Sequence, residues 1–199
     1  MAQFSVVRYS DVHAFAERAL PWLLQAEAEH NLLLSIIEHI KANRPGYAHP
    51  YLATIESDGA VSGCAFRTPP YKFGLTRMPH GAVPELVNDV LQAYDDLPAV
   101  LGPAAQARAF AEAWAVCRSK SVRPGMRSRI YELRTVQPPA RMPAGQLRLA
   151  GRDDLQLVVE WLSEFAHETR AGAPSGRTFA ENHINNKTFF LWEDEGEAR

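Results

Sequence analysis

A chain of 199 residues has room for one ordinary domain and part of another, or for one large one. Its 46% hydrophobic and 22% charged content are those of a soluble globular protein, and a formal net charge of −2 weighs against an obligate nucleic-acid partner. Cys64 and Cys117, the only cysteines, have neither CxxC spacing nor a His at ligand distance, so zinc is unsupported. Small buried thiols in a reducing compartment are the better reading. The N-terminus Met-Ala-Gln-Phe-Ser carries no basic region leading into an apolar stretch, and the longest apolar run is too short to span a bilayer. The expectation is a cytoplasmic protein with no membrane and no nucleic-acid partner.

Residues 4–9 read as a first strand. Ser10 or Asp11 then caps a helix carrying Val12, Phe15, Ala16, Ala19, Leu20 and Leu23 on one side, with Pro21 set to kink or restart it. A second amphipathic helix over residues 31–42 presents Leu32, Leu33, Ile36, Ile37 and Ile40, and Asn43-Arg-Pro-Gly-Tyr47 ends it. Residues 51–56 and 61–66 are β-rich runs around Ser57-Asp58-Gly59, and Asp-Gly between apolar runs is a strong hairpin signal. A strand over 73–77, the loop Met78-Pro-His-Gly-Ala82, and a helix opened by Pro84 with Val87, Val90, Leu91 and Tyr94 in register follow. A strand that empties into a loop before a helix N-terminus is where α/β proteins commonly hold phosphate-bearing ligands. Residues 99–102 are a short strand. Pro103 starts a helix with Ala107, Phe110, Ala111 and Trp114 on one face, and the alternating run 128–136 closes the unit as a strand. Arg123, Arg127 and Arg129 there read as a solvated β edge. The fold class is α/β with a mixed sheet.

Residues 137–145, rich in Pro and Gly, read as a linker between a unit over 1–136 and a second over 146–199. The second holds a strand at 146–150, a helix at 155–169 capped by Asp153 or Asp154, a helical segment at 179–184 and a strand at 189–192. An offset of 137 positions places Glu27…His30 on Glu164…His167, and Asp58-Gly59 on Glu195-Gly196. That pattern reads as an internal duplication whose second copy stops just past its turn. The two Glu-x-x-His pairs match the repeating element of carboxylate-bridged di-iron bundles. Here the helices are broken by Pro21 and interleaved with strands, so the pairs read as the polar ends of helices and no metal is expected.

The element order, the hairpin, Phe66-Arg-Thr-Pro-Pro-Tyr71, Ala107-x-x-Phe-Ala-x-x-Trp114 and Ile130-Tyr-Glu-Leu133 together resemble the N-terminal portion of tandem GNAT-type N-acetyltransferases. Such proteins join a degenerate GNAT-like domain to a catalytic one. The resemblance implies a GNAT-like acyl-CoA N-acyltransferase fold, one complete unit plus the first half of another. It implies acetyl-CoA as co-substrate and direct acetyl transfer to the primary amine of a small-molecule or peptide acceptor. No residue is assigned as general base. The family holds the cofactor pyrophosphate on a loop of the form Gln/Arg-x-x-Gly-x-Gly/Ala. Arg77-Met-Pro-His80-Gly81-Ala82 keeps the Arg and the Ala, but His80 replaces the middle Gly and Gly81 comes one place late. Arg77, His80, Gly81 and Ala82 are therefore the cofactor-binding candidates on a loop that reads as degenerate. The intact motif is expected in the second copy, beyond Arg199. On the same resemblance Trp161, Glu164, Phe165 and Glu168 are candidates to contact a cationic or amphipathic acceptor. The alternative is a non-catalytic GNAT-like pseudo-domain that binds a partner or forms a homodimer.

Overall fold

Asp58 and Gly59 both take positive φ, 52° and 76°, as a two-residue turn between right-twisted strands requires. The hairpin they close, β2 (Tyr51–Ser57) and β3 (Ala60–Arg67), forms the middle of a five-stranded sheet in a computed structural model of the chain. The model describes residues 3–44, 47, 49–169 and 176–198. Pro45 and Gly46 of the expected helix stop, and Arg199, lie outside the described residues. Two compact units are present, Met1–Leu133 and Arg134–Arg199.

In the first unit β1 (Phe4–Tyr9), β2, β3, β4 (Phe73–Leu75) and β5 (Val100–Leu101) lie in that order. Neighbours are antiparallel except β4 and β5, which are parallel. β4 and β5 are joined by a helical crossover, as parallel neighbours require. Helices α1 (Val12–Leu23) and α2 (Glu27–Lys41) cover one face, packing Phe15, Leu23, Leu33 and Ile37 on Leu52, Cys64 and Phe66. Helices α3 (Val83–Ala93) and α4 (Ala104–Arg118) cover the other with Leu86, Val90, Phe110 and Trp114. With helices on both faces, β2 is buried through its first five residues, and these read as a near-continuous apolar run. Asp11 is the cap of α1, its carboxylate accepting from the His13 and Ala14 amides at 3.1 and 3.3 Å. Pro21 is accommodated inside α1, which ends two residues later in a 3₁₀ turn over Leu24–Ala26. Phe110 stacks on Phe73 at 5.1 Å and on Trp114 at 6.1 Å between ring centroids.

The expected closing strand over 128–136 is not formed. After α4 the backbone turns at Ser119 (φ 53°) and carries neither helix nor strand through residue 145. Ile130 and Tyr131 are 59% and 81% exposed. A strand is stable only when paired, and the next edge in line, β5, offers two residues.

The second unit runs β6 (Gln146–Leu149), α5 (Leu155–Thr169), α6 (Arg177–Asn185), β7 (Phe190–Asp194) and β8 (Glu197–Ala198), with an antiparallel sheet β6-β7-β8. This repeats the connectivity of β1 through β3. Its turn residues Glu195 and Gly196 take φ of 52° and 81°, the geometry of Asp58 and Gly59. Ala150, Val158, Ala180, Ile184 and Leu191 form its small core. Arg148 ties the unit together, donating to Asp154 at 2.7 and 2.9 Å and to Glu193. Among the described residues no helix is long and apolar enough to cross a membrane.

Phe110→Ala is expected to cost about 3–5 kcal/mol, the scale for a fully buried aromatic. Ile130→Ala, in the exposed segment, is expected to cost under about 0.5 kcal/mol. Urea unfolding checks both, and a large loss from Ile130→Ala contradicts the exposed placement of that segment.

Candidate functional site

The loop between β4 and α3 is fastened on three sides by the first unit's own atoms. Thr76 continues β4 by donating its N–H to Cys64 O at 3.0 Å, while its Oγ1 accepts from the Cys64 N–H at 2.7 Å. Gly63 permits this closeness: a Cβ there would stand 2.7 Å from Met78 Cβ and 2.9 Å from Arg77 O. Met78 is buried, and its carbonyl accepts from Gln106 Nε2 of α4 at 3.1 Å. Arg77 reaches the first turn of α2. Its Nε lies 2.7 Å from Glu29 Oε1, a charge contact, and donates an aligned hydrogen bond to Oε2 at 2.9 Å.

Past Arg77 the donors that a pyrophosphate needs are scarce. His80–Ala82 is a 3₁₀ turn in which the Ala82 N–H donates to Pro79 O at 3.0 Å and the Val83 N–H donates to His80 O. Pro79 and Pro84 have no N–H at all. His80 and Gly81 are exposed and Ala82 is buried. Anion cradles at helix N-termini use successive free N–H groups. Here two are consumed by the turn and two are missing, the His80 and Gly81 N–H groups precede the turn's first hydrogen bond, and the one guanidinium is held by a carboxylate.

The acceptor candidates occupy one face of α5, since Trp161, Glu164, Phe165 and Glu168 fall at i, i+3, i+4 and i+7. Trp161 is half-buried against the small core, whereas Glu164, Phe165 and Glu168 are exposed. The Glu27/His30 pair is not a polar helix end: it opens α2, and His30 is 6% exposed. His30 Nδ1 lies 2.8 Å from Leu23 O, and its ring stacks on Trp22 at 4.8 Å. Its role is packing. Among the described residues no group of three or more His, Cys, Asp or Glu side chains could hold a metal ion. Cys64 is buried as expected, and burial pushes its thiol well above the usual range; Cys117, expected to be buried too, is exposed.

Sequence reasoning missed two polar clusters, each beside a cleft. In the first, a cleft of about 360 Å³ lies between α1 and the hairpin tip and is lined by Arg18, Trp22 and Gly59. Arg18 donates to both Glu56 oxygens at 2.9 and 2.8 Å and also to Gly59 O. These bonds from Arg18 hold the Glu56 carboxyl below the usual range, against burial, with Thr54 helping. In the second, Arg8 donates to Asp89 Oδ2 at 2.7 Å and to Asp89 O at 2.6 Å, and the Tyr51 hydroxyl donates to Asp89 Oδ2 at 2.6 Å. Burial, with that Asp89 bond, pushes the Tyr51 phenol far above its usual range. The sequence signal for this cluster is a pair of polar-tipped residues, Arg8 and Tyr51, that share a sheet face with Val6, Ala53 and Ile55.

Comparison with protein-family models, with curated proteins and with solved structures returned no match to the chain.

Because the folded pKa of Glu56 is depressed, its stabilising effect is complete above the unfolded carboxyl value, about 4.3. It is lost as pH falls through the lower folded value. Glu56→Gln is therefore expected to lower stability at neutral pH and to flatten the acid limb of the stability profile. Urea midpoints from neutrality to about pH 3 test this; an acid limb of unchanged steepness contradicts it.

Proposed function

We propose that the chain is a GNAT-like N-acetyltransferase homologue whose first unit no longer holds acetyl-CoA and serves as a binding or dimerisation module. The observation that carries this reading is the strand order β1-β2-β3-β4-β5 with its single parallel pair, β4 and β5, feeding the loop at Arg77–Ala82 and then α3. Supporting degeneracy are the Arg77–Glu29 pair, the 3₁₀ turn that uses its own amides, and the prolines on either side. On this reading the loop has too few free donors for the cofactor, and no chemical step is assigned to this unit.

Acetyl transfer to a primary amine is the second reading, and it belongs to the second unit. What favours it is the exposed acidic and aromatic face of α5, where Glu164 and Glu168 flank Phe165. A cationic acceptor suits that face, because carboxylates attract ammonium groups and an exposed ring can contact them.

Calorimetric titration with millimolar acetyl-CoA tests the proposal. The native chain is expected to give no saturable heat. The double variant Glu29→Gln/His80→Gly, which frees Arg77 and restores the glycine, is expected to give weak saturable binding. Binding by the native chain overturns the degenerate reading. A folded double variant that fails to bind overturns the GNAT-like reading.

A further inference from the structure

Leu191 packs with Val158, Ala180 and Ile184 in the small core of the second unit, so α5 and α6 cover that face of its sheet. Strand alternation puts Leu147, Leu149, Phe190 and Trp192 on the opposite face. The register pairs Leu147 with Trp192 and Leu149 with Phe190, which makes them one contiguous block. Leu147 is 63% exposed, Leu149 41% and Phe190 55%. Trp192 is half-buried, its Nε1 donating to Ala144 O at 2.9 Å. Among the described residues no helix of the second unit covers the block.

In the first unit the matching face is covered. The offset of 137 positions carries Phe190 onto Ala53 and Trp192 onto Ile55. Ala53 and Ile55 are fully buried in the core that α3 completes. In the second unit the same positions hold larger side chains and are bare. A contiguous apolar patch of a few hundred Å² marks an interaction site. A standard interface buries about 800 Å² on each partner, so contact through this block alone is weak and reversible.

We propose that this face binds the same face of a second copy, sheet on sheet. Two faces of large apolar side chains interdigitate about 10 Å apart, as in the core of a β-sandwich. Charge decides which way round the copies lie. Asp194 and Glu195 stand at the turn end of β7, and Lys187 stands just ahead of its other end. Among the described residues neither Asp194 nor Lys187 has an ion-pair partner. On the β6 side of the Lys187 end, the neighbours Arg152 and Asp153 offset each other. A two-fold axis parallel to the strands brings the two acidic ends together, which like charges oppose. An axis in the plane of the sheets and across the strands sets β7 antiparallel over the partner's β7. Asp194 then lies over the partner's Lys187 and Trp192 over the partner's Phe190, each contact made twice. The inference rests on the second unit alone and is independent of acetyl-CoA binding.

Sedimentation equilibrium of the full chain from micromolar to millimolar concentration tests it. A reversible dimer with a Kd between about 10 µM and 1 mM is expected for an interface below standard size. Phe190→Asp is expected to weaken association at least about thirtyfold, the scale of a central apolar contact. If that variant does not fold by circular dichroism, Leu147→Gln, at the most exposed position of the block, is expected to weaken it at least about tenfold. Asp194→Lys is expected to weaken association severalfold, and Asp194→Lys/Lys187→Glu to restore it. A chain that stays monomeric at millimolar concentration overturns the proposal and leaves the face to a different partner. A dimer untouched by the Phe190 and Leu147 variants also overturns it and places the contact elsewhere on the chain. A single charge reversal without effect, or an exchange that fails to restore association, overturns the antiparallel arrangement.

Discussion

Thr76 and Cys64 exchange hydrogen bonds through the Thr76 amide and hydroxyl and the Cys64 amide and carbonyl, and the placement of the β4–α3 loop depends on that clamp. It extends β4 by one residue, presses Met78 into the core and brings Arg77 out toward α2. Both partners are buried, so breaking the bonds would leave polar groups unpaired away from water, which costs more than the bonds gain in water. Gly63 is the steric condition for the clamp, since the loop backbone passes where a Cβ would be. A loop held this way is a part of the core's edge and has little freedom to wrap a ligand.

Arginine–carboxylate pairs then join the layers that the apolar core brings together. Arg8 ties β1 to α3, Arg18 ties α1 to the bulged end of β2, and Arg77 ties the loop to α2. In the second unit Arg148 joins β6 to the start of α5 and to β7. Such pairs at the surface add little stability individually; what they add is geometry, because a guanidinium fork on a carboxylate fixes direction as well as distance. Arg8 lines one cleft and Arg18 the other.

The features legible in the sequence were those set by neighbours along the chain. Asp58-Gly59 announced the hairpin because positive φ is a property of those two residues. Asp11, Pro84 and Pro103 marked helix starts by chemistry that acts within one turn. The helix over residues 155–169 was readable from its apolar spacing alone. Illegible were features set by distant partners. Residues 128–136 carry a strand-like pattern, yet pairing needs an edge, and the two-residue β5 supplies almost none. His30 sits in a Glu-x-x-His spacing that suggests a polar face, and its burial follows from Trp22 in a different helix. That His80 stands where the resemblance expects a Gly was visible, but the capture of Arg77 by Glu29, 48 positions away, was not. The Arg8–Asp89–Tyr51 cluster was hidden for the same reason.

Amide hydrogen exchange across the Arg77–Ala82 loop, with and without acetyl-CoA, tests most directly the proposal that the first unit does not hold acetyl-CoA. Strong protection at Thr76 and Ala82, unchanged by the cofactor, is the result this account predicts. Protection at His80 and Gly81 that rises when acetyl-CoA is added would contradict it.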